Sequence, residues 1–204
     1  MRKLLIFSLI LAFCLLSAPL YAAEKAPLGF GNLAVKIDYI NFTEGDMEDL
    51  DVDKGLYIGL EGYGEIMPAL YLGVEAGYTK PEGKVHAFIP DLDVVRLDTE
   101  FTYVPVELNL KYAIPVNPYM VIDLGAGVSY NYAKMKVSAD GFSGDEDDWL
   151  FGGQFFTDIV YKMGQVFISL NGKYQITEDI EFNDLNTNVN ANNWRVGGQI
   201  GIMF

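Results

Sequence analysis

The sequence predicts an all-β fold, eight antiparallel strands closed into a transmembrane barrel, on three observations. Eight stretches alternate apolar and polar residues with a period of two, the repeat of a strand whose two faces meet different surroundings, and no position on the apolar faces is charged. The connections between these stretches alternate between tight and long. Aromatic residues gather at the two ends of the apolar faces, where two membrane interfaces would lie.

Strand by strand, the apolar face begins with Leu33, Val35, Ile37 and Tyr39, then Leu56, Ile58, Leu60, Gly62, Gly64 and Ile66. The third strand presents Leu70, Leu72, Val74, Ala76 and Tyr78, and the fourth Thr102, Val104, Val106, Leu108, Leu110 and Tyr112. Met120, Ile122, Leu124, Ala126, Val128, Tyr130 and Tyr132 form the fifth, and Phe151, Gly153, Phe155, Thr157, Ile159 and Tyr161 the sixth. Val166, Ile168, Leu170, Gly172, Tyr174 and Ile176 give the seventh, and Trp194, Val196, Gly198, Ile200, Ile202 and Phe204 the eighth. With 21% of all residues charged, about ten charges would fall on these roughly 46 sites by chance, and each at mid-depth in lipid costs ~2 to 4 kcal/mol.

Arg2 and Lys3, an apolar run over 4–16 and the small residues Ala22 and Ala23 make residues 1–23 a secretory signal peptide. The run falls short of the ~20 apolar residues that a spanning helix needs. Residues 24–31 follow as a short periplasmic leader, and 32–204 as the barrel domain. Cys14, the only cysteine, lies inside the signal, so the mature chain forms no disulfide, and Phe13 before it is not the small residue of a lipoprotein signal. The mature chain retains twelve basic residues against 28 acidic ones, a charge of −16 that argues against nucleic acid as a partner.

The tight connections are 66–69, 113–118 and 162–165, and the long ones 43–54, 80–97, 136–148 and 177–193. Outer-membrane barrels have this asymmetry, with short periplasmic turns and long external loops, and it puts both termini in the periplasm. A soluble ligand-binding barrel such as a lipocalin also has eight strands, but it turns its apolar face inward. The connections and the sorted aromatics (Tyr39, Tyr78, Tyr130, Tyr174 and Trp194 at the loop ends, Tyr112, Tyr161 and Phe204 at the turn ends) favour the membrane barrel.

Residues 101–112 (FTYVPVELNLKY), the turn at Pro118 and Tyr119, and residues 124–130 (LGAGVSY) resemble the middle of the small bacterial outer-membrane β-barrel family that includes OmpX-like and OmpW-like proteins. The last strand, WRVGGQIGIMF, resembles the terminal signature of such barrels, although its glycine is not at the family's preferred offset from the end. The resemblance implies a Gram-negative outer-membrane location, with Phe204 as the insertion signal read by the barrel insertion machinery. Pro105 removes a ladder donor in a fold with no edge to hide the gap, so a bulge or kink is expected there.

Eight strands enclose a lumen that side chains can fill. Lys36, Asp38, Glu61, Glu65, Glu75, Glu107, Lys111, Asp123, Asp158, Lys173 and Arg195 have the inward parity and are expected to form a barrel-interior ion-pair network, with a narrow cation-preferring pore as the functional counterpart. Gly59, Gly73, Gly77, Gly125, Gly127, Gly197 and Gly201 share that parity and are expected to make room for long charged chains.

In the first loop Asp49, Asp51 and Asp53 have the alternate spacing that opens an EF-hand, but Gly55 comes one place late and Leu60 stands where the bidentate Glu belongs. They are a candidate cation-binding loop, shared with Asp145, Asp147 and Asp148 of the third loop and taking Ca²⁺ without EF-hand geometry; the bland counterpart is a solvated acidic rim. No resident cofactor is expected, and no residue set is assigned firmly to a metal. His86, followed by Ala87 and Phe88, lacks the His-x-Ser pair of the lipid A deacylases, and no G-x-S-x-G, H-E-x-x-H or phosphate loop occurs, which argues against an enzyme.

The sequence therefore leads to an outer-membrane protein with a structural or surface-interaction role through acidic external loops, in contact with membrane lipid and lipopolysaccharide. The alternative is an OmpW-like passage for small hydrophobic compounds through an apolar funnel of Ile40, Phe42, Val85, Phe88, Ile89, Phe142 and Leu185. A lipid-modifying enzyme comes third.

Overall fold

The computed structural model describes residues 26–88, 94–139, 142–182 and 185–204; the expected signal peptide, with Cys14, lies outside them. Among the described residues eleven strands and one short helix follow in order: β1 (Gly31–Phe42), α1 (Gly45–Asp49), β2 (Lys54–Met67), β3 (Leu70–Thr79), β4 (Glu82–Phe88), β5 (Val94–Asn117), β6 (Met120–Ala139), β7 (Phe142–Met163), β8 (Val166–Thr177), β9 (Asp179–Phe182), β10 (Leu185–Asn190) and β11 (Asn193–Met203). Eight of them, β1, β2, β3, β5, β6, β7, β8 and β11, each pair with both neighbours, and the pairing of β1 with β11 and of β3 with β5 closes the ring. All these pairings are antiparallel, so the ring has no open edge.

The three additional strands lie in stretches that the sequence assigns to loops. β4 folds back on the first residues of β5, and β9 pairs with β10. The β6–β7 ladder also runs without a break from Met120↔Tyr161 to Ala139↔Phe142. Once registered by a lipid-facing face, a hairpin continues to satisfy its backbone groups by pairing beyond the membrane, and the lost apolar alternation there hides it from a periodicity reading.

Of the bulge or kink expected at Pro105, no bulge forms. On the β6 side Pro105 stays in register opposite Asn131, while on the β3 side the ladder skips from Ala76↔Val106 to Thr79↔Tyr103 and resumes unshifted. The missing donor removes local hydrogen bonding and the flanking pairs hold the register. Register shifts occur instead next to turns, between Glu65 and Met67 and between Pro115 and Asn117.

Along every ring strand the uncharged set faces out: Leu56, Leu60, Val74, Leu124, Leu170 and Ile200 are all well exposed, as lipid-facing side chains are. Tyr39, Tyr78, Tyr130, Tyr174 and Trp194 ring this band at the loop end, and Tyr161 and Phe204 at the turn end. Most inward glycines make room for rings. A Cβ at Gly77 would meet the Tyr57 hydroxyl, at Gly73 the Tyr63 ring, at Gly125 the Phe156 ring and at Gly201 the Phe167 ring; among the charged chains, Gly59 accommodates Lys36 and Gly197 accommodates Asp38. Rings are wide close to the backbone, whereas a lysine is slim until its tip, so the rings need the gaps more.

Candidate functional site

The lumen is built from two rows of acids. Glu61 on β2 lies directly opposite Glu75 on β3, and Glu75 directly opposite Glu107 on β5, so three carboxylates stand side by side along the hydrogen-bonding direction. Like charges in facing positions repel. Here three cations separate them, Lys36 from β1 beside β2, and Lys173 and Arg195 from β8 and β11 across the lumen. Lys36 Nζ lies 3.1 Å from both Glu61 Oε2 and Glu75 Oε2, Lys173 Nζ 2.6 Å from Glu75 Oε2 and 2.5 Å from Glu107 Oε2, and Arg195 Nη2 2.6 Å from Glu107 Oε1. All six side chains are almost fully buried. Tyr57 donates to Glu75 at 2.8 Å and lies with its ring 4.5 Å beneath the Arg195 guanidinium, which also donates to Gln175.

The second row is not balanced in this way. Asp123 on β6 faces Asp158 on β7, and Asp158 faces Asn171 on β8, which donates to Asp38 on β1 at 3.3 Å. Lys111 is the one cation in an ion pair with this row among the described residues, 3.0 Å from Asp123 Oδ2 and 4.0 Å above the Tyr63 ring. Among the described residues, one carboxylate oxygen each of Asp38 and Asp158 has no hydrogen-bond partner. Glu65, the remaining inward acid, is half-buried near the turn and accepts from the Ala69 amide at 3.0 Å.

Apolar clusters close both ends of this polar middle. At the external end Ile40, Phe42, Tyr57, Phe101, Tyr103 and Leu150 pack with Met47 of α1, with Val52 behind it, and with Ile180 and Ala191 of the last loop. Phe42 meets Phe101 and Tyr103 edge-on at 5.1 and 5.4 Å. At the periplasmic end the leader turns inward: Leu28 is fully buried among Tyr63, Tyr71, Ala113, Val121, Phe156, Val160 and Phe167. The Tyr71 hydroxyl accepts from the Leu28 amide at 3.1 Å and donates to the Gly29 carbonyl at 2.9 Å, and Lys162 donates to the Pro27 carbonyl at 3.0 Å. Gly29 has a φ of +73°, and a Cβ there would come 2.7 Å from the Phe204 carbonyl oxygen. Gly31 and Phe204 exchange both backbone hydrogen bonds, at 3.0 and 2.9 Å, so the last residue is fixed to the start of β1.

In the first loop Asp49 ends α1 and Asp51, at φ 56°, is exposed, while Asp53 is buried, accepts from Asn41 and pairs with Lys54 at 2.7 Å. Asp145 and Asp147 lie on the outward face of β7, and Asp148 accepts from the Trp149 amide. Among the described residues no three His, Cys, Asp or Glu side chains are gathered to hold a metal ion. Of the expected funnel, Ile40 and Phe42 lie inside the external cluster; Ile89 and the side chains of Val85, Phe88, Phe142 and Leu185, like that of His86, fall outside the described parts. Leu28, Met47, Tyr57, Tyr63 and Gln175 escape a sequence reading that looks for charge. The Leu between Pro27 and Gly29 and the glycines facing the rings are the signals that could have found the first and the tyrosines.

A closed antiparallel ring with an uncharged outer band, aromatic girdles and a charged lumen defines an outer-membrane β-barrel. Residues 8–200 match the family model described as outer membrane protein beta-barrel domain, and the chain belongs to that family. No curated protein sequence matches it. Among solved structures, the neisserial surface protein A is similar at 14% identity over 86% of this chain and 98% of its own, with a TM-score of 0.62. A major outer membrane protein from Thermus thermophilus is similar at 9% identity over 85% and 99%, with a TM-score of 0.58. The attachment invasion locus protein of Yersinia pestis, in complex with the heparin analogue sucrose octasulfate, is similar at 16% identity over 84% and 97%, with a TM-score of 0.52. At these identities the likeness is one of fold. It agrees with the short-turn, long-loop orientation and with an outer-membrane location.

Proposed function

We propose that this chain is a closed outer-membrane barrel that works at the cell surface, through its acidic external loops, in a structural or surface-interaction role. The observation that carries the reading is the double closure, with the buried ion-pair network held between the Met47 and Leu28 clusters. Above the membrane, Glu48, Asp49, Asp51, Asp145, Asp147, Glu178 and Asp179 are exposed, a surface suited to cations and to the cation-bridged phosphates of lipopolysaccharide. Phe204, ending the strand that closes the ring, serves in this reading as the insertion signal. No catalytic step belongs to it, and lipid A is expected to be unchanged on mass spectrometry with and without the protein.

The test is conductance in planar bilayers together with uptake of a small apolar probe by intact cells. The expected results are no stepwise conductance and equal uptake with and without the protein. Discrete channels would overturn closure, and faster uptake that disappears in Phe42→Glu would replace this reading by the hydrophobic passage.

A further inference from the structure

The wall formed by β5, β6 and β7 is taller than the rest of the ring. β1 ends three residues beyond Tyr39 and β8 three beyond Tyr174, whereas β6 continues nine residues beyond Tyr130 and keeps its pairing with β7 throughout. At about 3.3 Å per residue, this wall rises through the level of the outer-leaflet headgroups, whereas the ring strands on either side, β3 and β8, end at Thr79 and Thr177, close above the girdle.

Its outward face has a definite order. Above the pair Tyr130 and Phe151 come Tyr132 opposite Trp149, then Lys134 opposite Asp147, then Lys136 opposite Asp145. Trp149 stacks on Tyr130 with ring centroids 4.8 Å apart and leans on Tyr132 at 5.3 Å, yet Trp149 and Tyr130 remain 49% and 50% exposed. Lys134 pairs with Asp145, and Lys136 also stands opposite Glu100 of β5. The described lysines outside the lumen are Lys54, Lys80, Lys84, Lys134, Lys136 and Lys162. Lys54, Lys134 and Lys136 sit on outward strand positions above the girdle, and Lys84 stands higher, opposite Asp98, although this end of the chain is acidic.

We infer that the outward face of β6 and β7 binds the headgroup of a phosphorylated outer-leaflet glycolipid, with sugar against Trp149 and Tyr132 and phosphate on Lys134 and Lys136. The face is open to the membrane, and the apolar outer surface of the same strands, in contact with the acyl chains, leads directly up to it. Flat aromatic surface suits the C–H face of a sugar, and ammonium groups make charge-assisted hydrogen bonds to phosphate oxygens. The inference deepens the surface-interaction reading by naming one partner class and one wall. It does not require the lumen to be closed, so conductance in bilayers would overturn closure and leave this site standing.

The test uses the full mature chain refolded in detergent, with the temperature at which it loses its compact gel mobility measured with and without added lipid. Lipid A with both phosphates is expected to raise that temperature, lipid A lacking one phosphate to raise it less, and phosphatidylglycerol to leave it unchanged. The double variant Lys134→Gln/Lys136→Gln is expected to lose most of the lipid A shift, Trp149→Ala to lose part of it, and Lys54→Gln on a short wall to keep it. An equal shift with phosphatidylglycerol would show a general anionic-lipid effect and overturn the inference, as would a full shift in the double variant. All four substitutions are at outward positions, and an unshifted mobility transition without lipid checks that each variant folds.

Discussion

The glutamate row and the aspartate row of the lumen are made of the same chemistry and solve it differently. Glu61, Glu75 and Glu107 stand in facing positions, and Lys173 and Arg195 from the opposite wall, with Lys36 from the adjoining β1, reach them so that Glu75 and Glu107 each meet at least two cations. Asp123, Asp158 and Asp38 have Lys111 and an amide among them. A buried ion pair gains from mutual attraction what it loses in desolvation only when the remaining hydrogen-bonding positions are also met. The glutamate row comes closer to that condition through Tyr57, Gln175 and Asn109, with one carboxylate oxygen, Glu61 Oε1, left without a hydrogen-bond partner among the described residues, whereas the aspartate row leaves an oxygen of each carboxylate so. The first row is therefore expected to hold the walls together, whereas the second is expected to tolerate change.

The largest effect is expected from Arg195→Met. It leaves Glu107 and Glu75 short of a cation inside the barrel, and the cost is ~3 to 5 kcal/mol in urea unfolding from lipid vesicles. A loss within experimental error would erase the distinction between the rows. Lys111→Met comes next, because Asp123 then faces Asp158 with no ion-pair partner of its own among the described residues. Adding Asp123→Asn is expected to restore most of the lost stability, and a double-mutant cycle with no coupling would show that Lys111 acts through its contact with the Tyr63 ring instead. Asp158→Asn is expected to change stability by less than ~1 kcal/mol or to raise it, since it removes a buried charge that has an oxygen without a hydrogen-bond partner. A loss as large as that of Arg195→Met would mean that Asp158 is as well compensated as the glutamates.

The ring, its orientation and the membership of both rows are legible in the sequence because lipid imposes period-two alternation on every strand and forbids charge on one parity. What the lumen does with its charges is not legible in the same way. Parity places Glu75 and Asp158 identically, but shear decides that Lys36, Lys173 and Arg195 converge on Glu75, while among the described residues no cation stands within ion-pair distance of Asp158. The tall β5–β7 wall is hidden for a related reason: above the girdle both faces meet water or headgroups, so alternation ceases to mark a strand that Lys134, Lys136, Asp145 and Asp147 still form. Leu28 and Met47 escape notice because a cork needs one apolar side chain and no period at all.

The smallest expected effect lies on that wall and tests whether ion pairing outside the lumen resembles either row. The hydrogen bond from Lys134, and then its charge, hold the Asp145 carboxyl below its ordinary range, and the same contact raises Lys134. A carboxylate whose folded value is depressed contributes stability that is present above its ordinary range and lost as pH falls through the depressed value. A raised lysine contributes below its ordinary value and loses that contribution as pH rises through the raised one. The pair is therefore intact across the neutral range, but it is exposed and screened by salt, so its effect on overall stability is small. Nuclear magnetic resonance of the Asp145 side-chain carboxyl in lipid nanodiscs is expected to give a titration midpoint that rises in Lys134→Gln and moves toward the ordinary carboxylate value in high salt. A midpoint unaffected by salt would place this pair with the shielded glutamate row, and one unaffected by Lys134→Gln would show that Asp145 and Lys134 do not hold each other at the surface.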